Sequence, residues 1–238
     1  MGEEGHTHIV SQLFLAGAAQ AGAKVHTVQL ANHDIKQCQG CGDCFYKTPG
    51  KCKLNDDGHK LLKRFMDSDV AVFATPLYFN NVSALTKTFI DRLYPLFEPH
   101  CEKGSDGLYR RRKRFEKYPK IMVISSCRLP EQSNFDVLRL FFRKLASTFD
   151  TELAGEIYLS SAGLLFLARE DVKFKAVINE YNALLHQAGR DFVRAGKISD
   201  EQAAKLSKLL IAPDEYVEYA NAMWDQLLEK HQQYSVLA

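Results

Sequence analysis

At 238 residues, with 46% hydrophobic and 25% charged residues, the chain has the make-up of a globular protein with one sizeable core rather than a disordered one. A net charge of +2 excludes the strongly basic field of a nucleic-acid binder, and no run approaches the length of consecutive apolar residues that a membrane span needs. The opening Met1-Gly-Glu-Glu-Gly-His6 lacks the basic-then-apolar layout of a secretory signal, so a cytoplasmic location is expected; in that reducing setting six cysteines point to metal or redox chemistry rather than to structural disulfides.

In chain order, Ile9, Val10, Leu13, Phe14, Gly17 and Ala18 recur at helical spacing, and Gly22 stands where a left-handed cap would end the run, which predicts a helix over 7–21. Val25-His-Thr-Val-Gln-Leu30 alternates and is rich in β-branched residues, so a strand is expected there. Directly after it comes Cys38-Gln-Gly-Cys41-Gly-Asp-Cys44-Phe-Tyr-Lys-Thr-Pro-Gly-Lys-Cys52, placed by this pattern at a strand's exit. Asp56 or Asp57 can cap a helix running to about residue 67, and 70–74 is a short apolar run, the mark of a strand buried on both faces of a parallel sheet. An amphipathic helix is predicted around 84–93, a second buried strand at 121–124, a helix over 135–149 and a strand around 156–159. Pro95, Pro99, Gly104 and Gly107 break this alternation, so 95–119 reads as an insertion. Beyond 165 the pattern is helical, with Ser199 and Gln202 fitting a capping box and Pro213-Asp214 opening a last helix.

Strands alternating with helices, each strand ending in a turn, predict an α/β fold with a doubly wound parallel sheet and a site at the strands' C-terminal edge. The economical organisation is one domain, with 1–165 carrying the sheet and 166–238 forming a C-terminal helical extension of it. The four clustered cysteines, spaced C-x2-C-x2-C-x7-C, carry thiolate chemistry, and glycines at 40, 42 and 50 let the backbone wrap a compact object. The spacing admits a [4Fe–4S] cluster, a structural zinc ion or a cysteine-rich turn without metal. Zinc sites usually set two Cys pairs about a dozen or more residues apart, whereas three successive x2 steps fit three corners of a cubane with the fourth returning from the loop.

The cysteine loop, the Asp56-Asp57 pair, the loop Thr75-Pro-Leu-Tyr-Phe-Asn-Asn-Val-Ser83 and the helix end Phe89-Ile-Asp-Arg92 together resemble the iron–sulfur flavoproteins, a branch of the NAD(P)H-dependent FMN reductase group of flavodoxin-like folds. The resemblance covers roughly residues 4–160. It implies an FMN-dependent redox protein with a [4Fe–4S] cluster on Cys38, Cys41, Cys44 and Cys52, and NAD(P)H as electron donor. Its electron partners would be small molecules or proteins, not nucleic acid or membrane. It also implies a homodimer or homotetramer in which one chain's cluster approaches another chain's flavin, with the 95–119 insertion as a contact arm. By the same resemblance Thr75, Pro76, Leu77, Tyr78, Phe79, Asn80, Asn81 and Ser83 contact FMN, joined by Ser126 and Cys127 from the 125–130 loop. No catalytic acid or base is assigned, because the cofactor supplies the chemistry. The blander roles are loop packing for Tyr78 and Phe79 and a small buried thiol for Cys127.

At the phosphate end the group begins with a strand and a Ser-Pro-Arg-type loop ending in Gly-Asn-Thr. This chain matches only the last part, in Glu4-Gly5-His6-Thr7, which leaves Gly5, His6 and Thr7 as phosphate-end candidates at a helix N-terminus. The first, central strand has no counterpart in the sequence, so the expected sheet lacks it, with weak flavin retention and poor stability to follow. Either the start is misplaced, or a real truncation leaves a gap in the sheet filled by something else, such as a partner chain. Arg110-Arg-Arg-Lys-Arg114 is a solvated face or a patch for an NADP phosphate or an acidic partner. The competing functions are a cluster-free reductase of flavin, quinone or nitro compounds, and a flavin-free protein with a structural metal site.

Overall fold

The computed structural model describes residues 5–104 and 106–232, so Glu4 of the phosphate-end motif lies outside the described residues. The chain runs through α1 (His6–Gln20), the cysteine loop with its short α2 (Asp43–Tyr46), α3 (Gly58–Met66), β1 (Val70–Pro76) and α4 (Ala84–Asp91). It continues through β2 (Phe97–Lys103), β3 (Tyr109–Lys113), β4 (Lys120–Ser126), α5 (Asp136–Phe149) and β5 (Leu153–Leu159). Helices α6 (Leu164–Glu170), α7 (Val172–Ala195), α8 (Asp200–Leu206) and α9 (Pro213–Gln232) complete it.

Strands β1, β4 and β5 form a parallel sheet in that order, with β4 in the middle. Side chains alternate across a strand, and β4 sorts them accordingly. Ile121 and Val123 join Phe65, Phe89 and Phe142 on one face, while Met122 and Ile124 join Val10, Phe14 and Leu185 on the other. Both faces are therefore covered by helices, which is why the buried strands are unbroken apolar runs.

The strand predicted at 25–30 does not form; residues 23–29 carry no regular structure. A ladder needs a neighbour, and among the described residues β1 is paired to β4 on one side only. The open side shows in the burial: Ala74 is exposed and Val70 and Val72 are half-buried, whereas residues 121–126 of β4 are wholly buried. Val28 and Leu30 reproduce the alternation by packing on the core without entering the sheet. The insertion is also more ordered than its prolines and glycines suggest. It forms an antiparallel pair, β2 with β3, and Pro99 sits where the register shifts between Phe97 and Cys101, a place where its missing donor does no harm.

The C-terminal helices pack into the same core as the sheet, with Phe174, Tyr181, Leu185, Phe192 and Tyr216 contributing buried rings and branches. Ser199 and Gln202 form the reciprocal capping box at the start of α8. Helices α1 and α7 meet where a Cβ on Gly17 would lie 1.9 Å from the His186 carbonyl oxygen and one on Gly189 would lie 2.0 Å from that of Phe14. Backbone, not a flexible side chain, occupies that space, so Gly189→Ala must push the two helices apart. A loss of about 1–3 kcal/mol in urea unfolding is expected. No helix among the described residues is long and apolar enough to cross a membrane.

Candidate functional site

Left-handed turns at Gly40 (φ +64°) and Gly42 (φ +74°) fold the cysteine loop back on itself. Cys38 and Cys41 are exposed and Cys44 and Cys52 half-buried, and all four line one cavity of about 250 Å³. Burial, and then the neighbouring Cys52, Cys38 and Cys41, push the Cys44 thiol above its ordinary pKa, so Cys44 lies within electrostatic reach of the other three. No three Cys, His, Asp or Glu side chains among the described residues gather as ligands of a single metal ion. The thiols wall a space instead of converging on a point.

The loop rests on a buried ion pair. Arg92, just past α4, and Asp56, ahead of α3, have side chains 2% and 0% exposed. Arg92 grips both Asp56 oxygens in a two-pronged contact and also donates to the Lys36 carbonyl at 2.7 Å. Asp56 in turn accepts the N–H groups of Lys36 at 2.9 Å and Gly58 at 2.9 Å. Burial opposes the Asp56 charge, but the Arg92 guanidinium and these two amides outweigh it and hold the carboxyl at about 2. Asp57, the other expected helix cap, makes no side-chain cap bond; it accepts the Asp34 N–H at 3.1 Å. The Asp-Asp pair thus fastens the chain on both sides of the cysteines.

Asp43, buried at the start of α2, pairs with Lys47 at 3.0 Å and Lys53 at 3.3 Å. Arg111 of β3 also lines the cavity, its guanidinium 4.6 Å from the centre of the Phe45 ring. The basic run is otherwise tied internally: Arg110 to Asp106 and Asp150, Arg112 to Glu98 and Glu102, Lys113 to Asp150, and Arg114 to the carbonyls of Pro95 and Phe97. These charges mostly hold the hairpin in place.

The second loop follows β1. Tyr78 and Asn81 exchange two backbone hydrogen bonds at 3.0 Å around Phe79 (φ +47°) and Asn80 (φ +61°), a left-handed two-residue turn. Phe79 is fully exposed at 103%, and a bulky residue in that conformation is strained. Phe79→Gly is expected to raise stability by about 0.5–1 kcal/mol in thermal melts. Thr75 is buried and its Oγ1 accepts the Ser83 N–H at 3.0 Å, while Ser83 Oγ caps α4 by accepting the Thr86 N–H. Leu77 N–H donates to the Ser126 carbonyl at 3.1 Å, drawing the β1 and β4 exits together with Pro76 at the end of their register.

Thr7 and Ser126 join their hydroxyls at 2.7 Å, so the start of α1 meets the exit of β4. Gly5 precedes α1 with no side-chain cap, and the His6 ring packs on Phe166 at 4.2 Å. Cys127 is buried, its thiol pushed up to about 11 by that burial, and Sγ donates to the Leu129 carbonyl. Ser125 Oγ, beside it, is buried without a hydrogen-bond partner among the described residues, and sequence reasoning had not separated it from its loop. Arg92 was legible only as part of a helix-end motif, and Arg111 only as one of a charge run.

The sequence placed both loops on one sheet edge. In the structure the 75–83 loop leads into the N-terminal end of α4, whereas Asp91 and Arg92 at its C-terminal end line the cysteine cavity. One helix length, about 12 Å at 1.5 Å per residue, separates them. The reason is that the segment before the cysteines is held by Arg92 and the Asp pair and not by a sheet ladder.

A parallel sheet covered by helices on both faces, with its loops clustered where β1 and β4 end, defines a flavodoxin-like α/β protein. The fold is shared with an azoreductase from Bacillus anthracis str. Sterne, at a TM-score of 0.57, 15% identity and coverage of 80% of this chain and 93% of that one. An NAD(P)H:quinone oxidoreductase from Methanothermobacter marburgensis matches at 0.55 and 16% identity over 79% and 90% of the two chains. Residues 1–112 match the family described as NADPH-dependent FMN reductase. The chain is 38% identical over 87 residues to an iron-sulfur flavoprotein from Archaeoglobus fulgidus, covering 37% of this chain and 39% of that protein. It is 34% identical over 93 residues to one from Methanocaldococcus jannaschii, covering 39% and 47%. The matched stretches span less than half the length of these curated relatives. They bear out the resemblance to iron–sulfur flavoproteins of the FMN reductase group that the two loops carry.

Proposed function

We propose that the chain is an FMN-dependent oxidoreductase in which electrons pass between the flavin and a [4Fe–4S] cluster held by Cys38, Cys41, Cys44 and Cys52, with NAD(P)H as donor. The observation that carries the cluster is the single cavity walled by four thiols together with Arg92 and Arg111. Thiolate ligands on a wide wall suit a multi-atom cluster better than one zinc ion, and the Arg111 guanidinium on the same wall offsets part of the negative charge of a tetrathiolate centre.

The flavin reading is supported where Gly5, His6 and Thr7 begin α1. The N-cap is Gly5, which has no side chain to cap the first turn, and the helix dipole favours a phosphate there. Thr75 and Ser83 shape the turn that displays Tyr78 and Phe79 as an aromatic wall, with Asn80 and Asn81 beside it. Pro76 and Leu77 hold this wall against Ser126, and the buried Ser125 hydroxyl beside it has no hydrogen-bond partner among the described residues. When bound, the flavin accepts electrons in pairs or singly and the cluster relays them one at a time.

The distance along α4 and the outward Phe79 support an assembly of like chains, dimeric or tetrameric, in which one chain's cysteine loop approaches another chain's flavin loop. Anaerobic purification with a visible spectrum and iron, sulfide and flavin analysis tests the whole reading. About four irons together with bound FMN in the same preparation supports it. Flavin alone favours the cluster-free reductase, and neither leaves a protein whose role is interaction.

A further inference from the structure

We propose that Arg92 is a positioning residue for the cluster: it fixes both flanks of the cysteine loop and donates a hydrogen bond to the sulfur of Cys52, which raises the reduction potential of the centre. The inference rests on the cluster reading given above.

The guanidinium is almost fully buried, with a side chain 2% exposed, and lines the same cavity as the four cysteines. Its contacts reach both ends of the loop, Lys36 two residues before Cys38 and Asp56 four residues after Cys52. Asp56 neutralises the charge, so what remains for the cavity is the directional character of the remaining donors. Cys52 lines the same cavity wall as this side chain. The Nε–H group is buried and has no partner among the described residues. Gly58 leaves the room this needs, because a Cβ there would sit 2.8 Å from the nearer Arg92 amino nitrogen. Hydrogen bonds to ligand sulfurs withdraw electron density and stabilise the reduced cluster, one of the recognised levers on its potential. Arg111 is a weaker candidate for this role, since it stacks on Phe45 and donates to the Pro99 carbonyl.

The test is a redox titration of the cluster followed by EPR, on the native chain and on Arg92→Lys purified anaerobically. The lysine keeps a buried cation for Asp56 but lacks the planar fork. The expected result is full iron content with a midpoint shifted to lower potential. An unchanged midpoint at full iron content overturns the inference while leaving the cluster reading intact. Absence of iron from the native chain overturns both. If Arg92→Lys does not fold, the native protein grown with guanidino-15N arginine serves. Pulsed EPR of its reduced cluster should show a nitrogen coupling that persists in Arg111→Gln, and absence of that coupling sinks the proposal.

Discussion

Cys41→Ala is expected to strip iron and sulfide from the protein while leaving its flavin content and its unfolding midpoint unchanged. The asymmetry follows from where the residue sits. Cys41 is exposed and flanked by Gly40 and Gly42 in left-handed turns, so its side chain contributes little to the packed core. A cluster, in contrast, depends on every corner, because a missing thiolate leaves one iron open to solvent and oxidant. Iron and sulfide should fall from about four per chain to near zero, read by colorimetric analysis beside the flavin absorbance. Cys101→Ala is the control: Cys101 is exposed on β2 and does not line the cavity, so it should keep full iron. Retention of iron by Cys41→Ala would remove the ligand assignment.

The largest loss of stability is expected from Asp56→Ala. It leaves the Arg92 guanidinium buried without its counter-charge and deprives the Lys36 and Gly58 amides of their acceptor. Breaking a buried pair from one side typically costs about 3–5 kcal/mol, which urea denaturation resolves easily. The same carboxylate gives an acid limb. With a folded value of about 2 and an unfolded one of about 3.9, its contribution is present above the unfolded value and is lost as pH falls toward 2. The native chain should therefore lose stability across that window more steeply than Asp56→Ala. Parallel acid profiles would show that the pair is not worth what its burial implies.

Much of this was legible beforehand because the relevant patterns are local. The helix over 7–21 and the two apolar runs at 70–74 and 121–124 depend on periodicities that the chain carries within itself. Gly22 and the Ser199–Gln202 box are equally local, since a left-handed cap and a reciprocal cap need only three or four neighbouring residues. The strand expected at 25–30 failed for the opposite reason. Its alternation is real, yet a strand exists only in a ladder, and among the described residues 25–30 joins none. The hairpin β2–β3 was hidden by prolines and glycines that tolerate an edge pair, and its arginines looked like a free patch until Asp106, Asp150, Glu98 and Glu102 arrived from elsewhere in the chain.

What the sequence by itself determined is the chemistry available: four thiols at a spacing that can wrap one centre, a Pro-Leu-Tyr-Phe-Asn-Asn loop after a buried strand, and an alternating α/β order. These are properties of neighbours along the chain, so no distant contact can alter them. Only the tertiary structure decided where that chemistry sits. It put the cysteine cavity at the far end of α4 from the aromatic turn and seated its loop on Arg92 and Asp56, 36 residues apart in sequence. A buried charge pair has no local signature, because its stability comes from desolvated contact between segments that only the folded chain brings together.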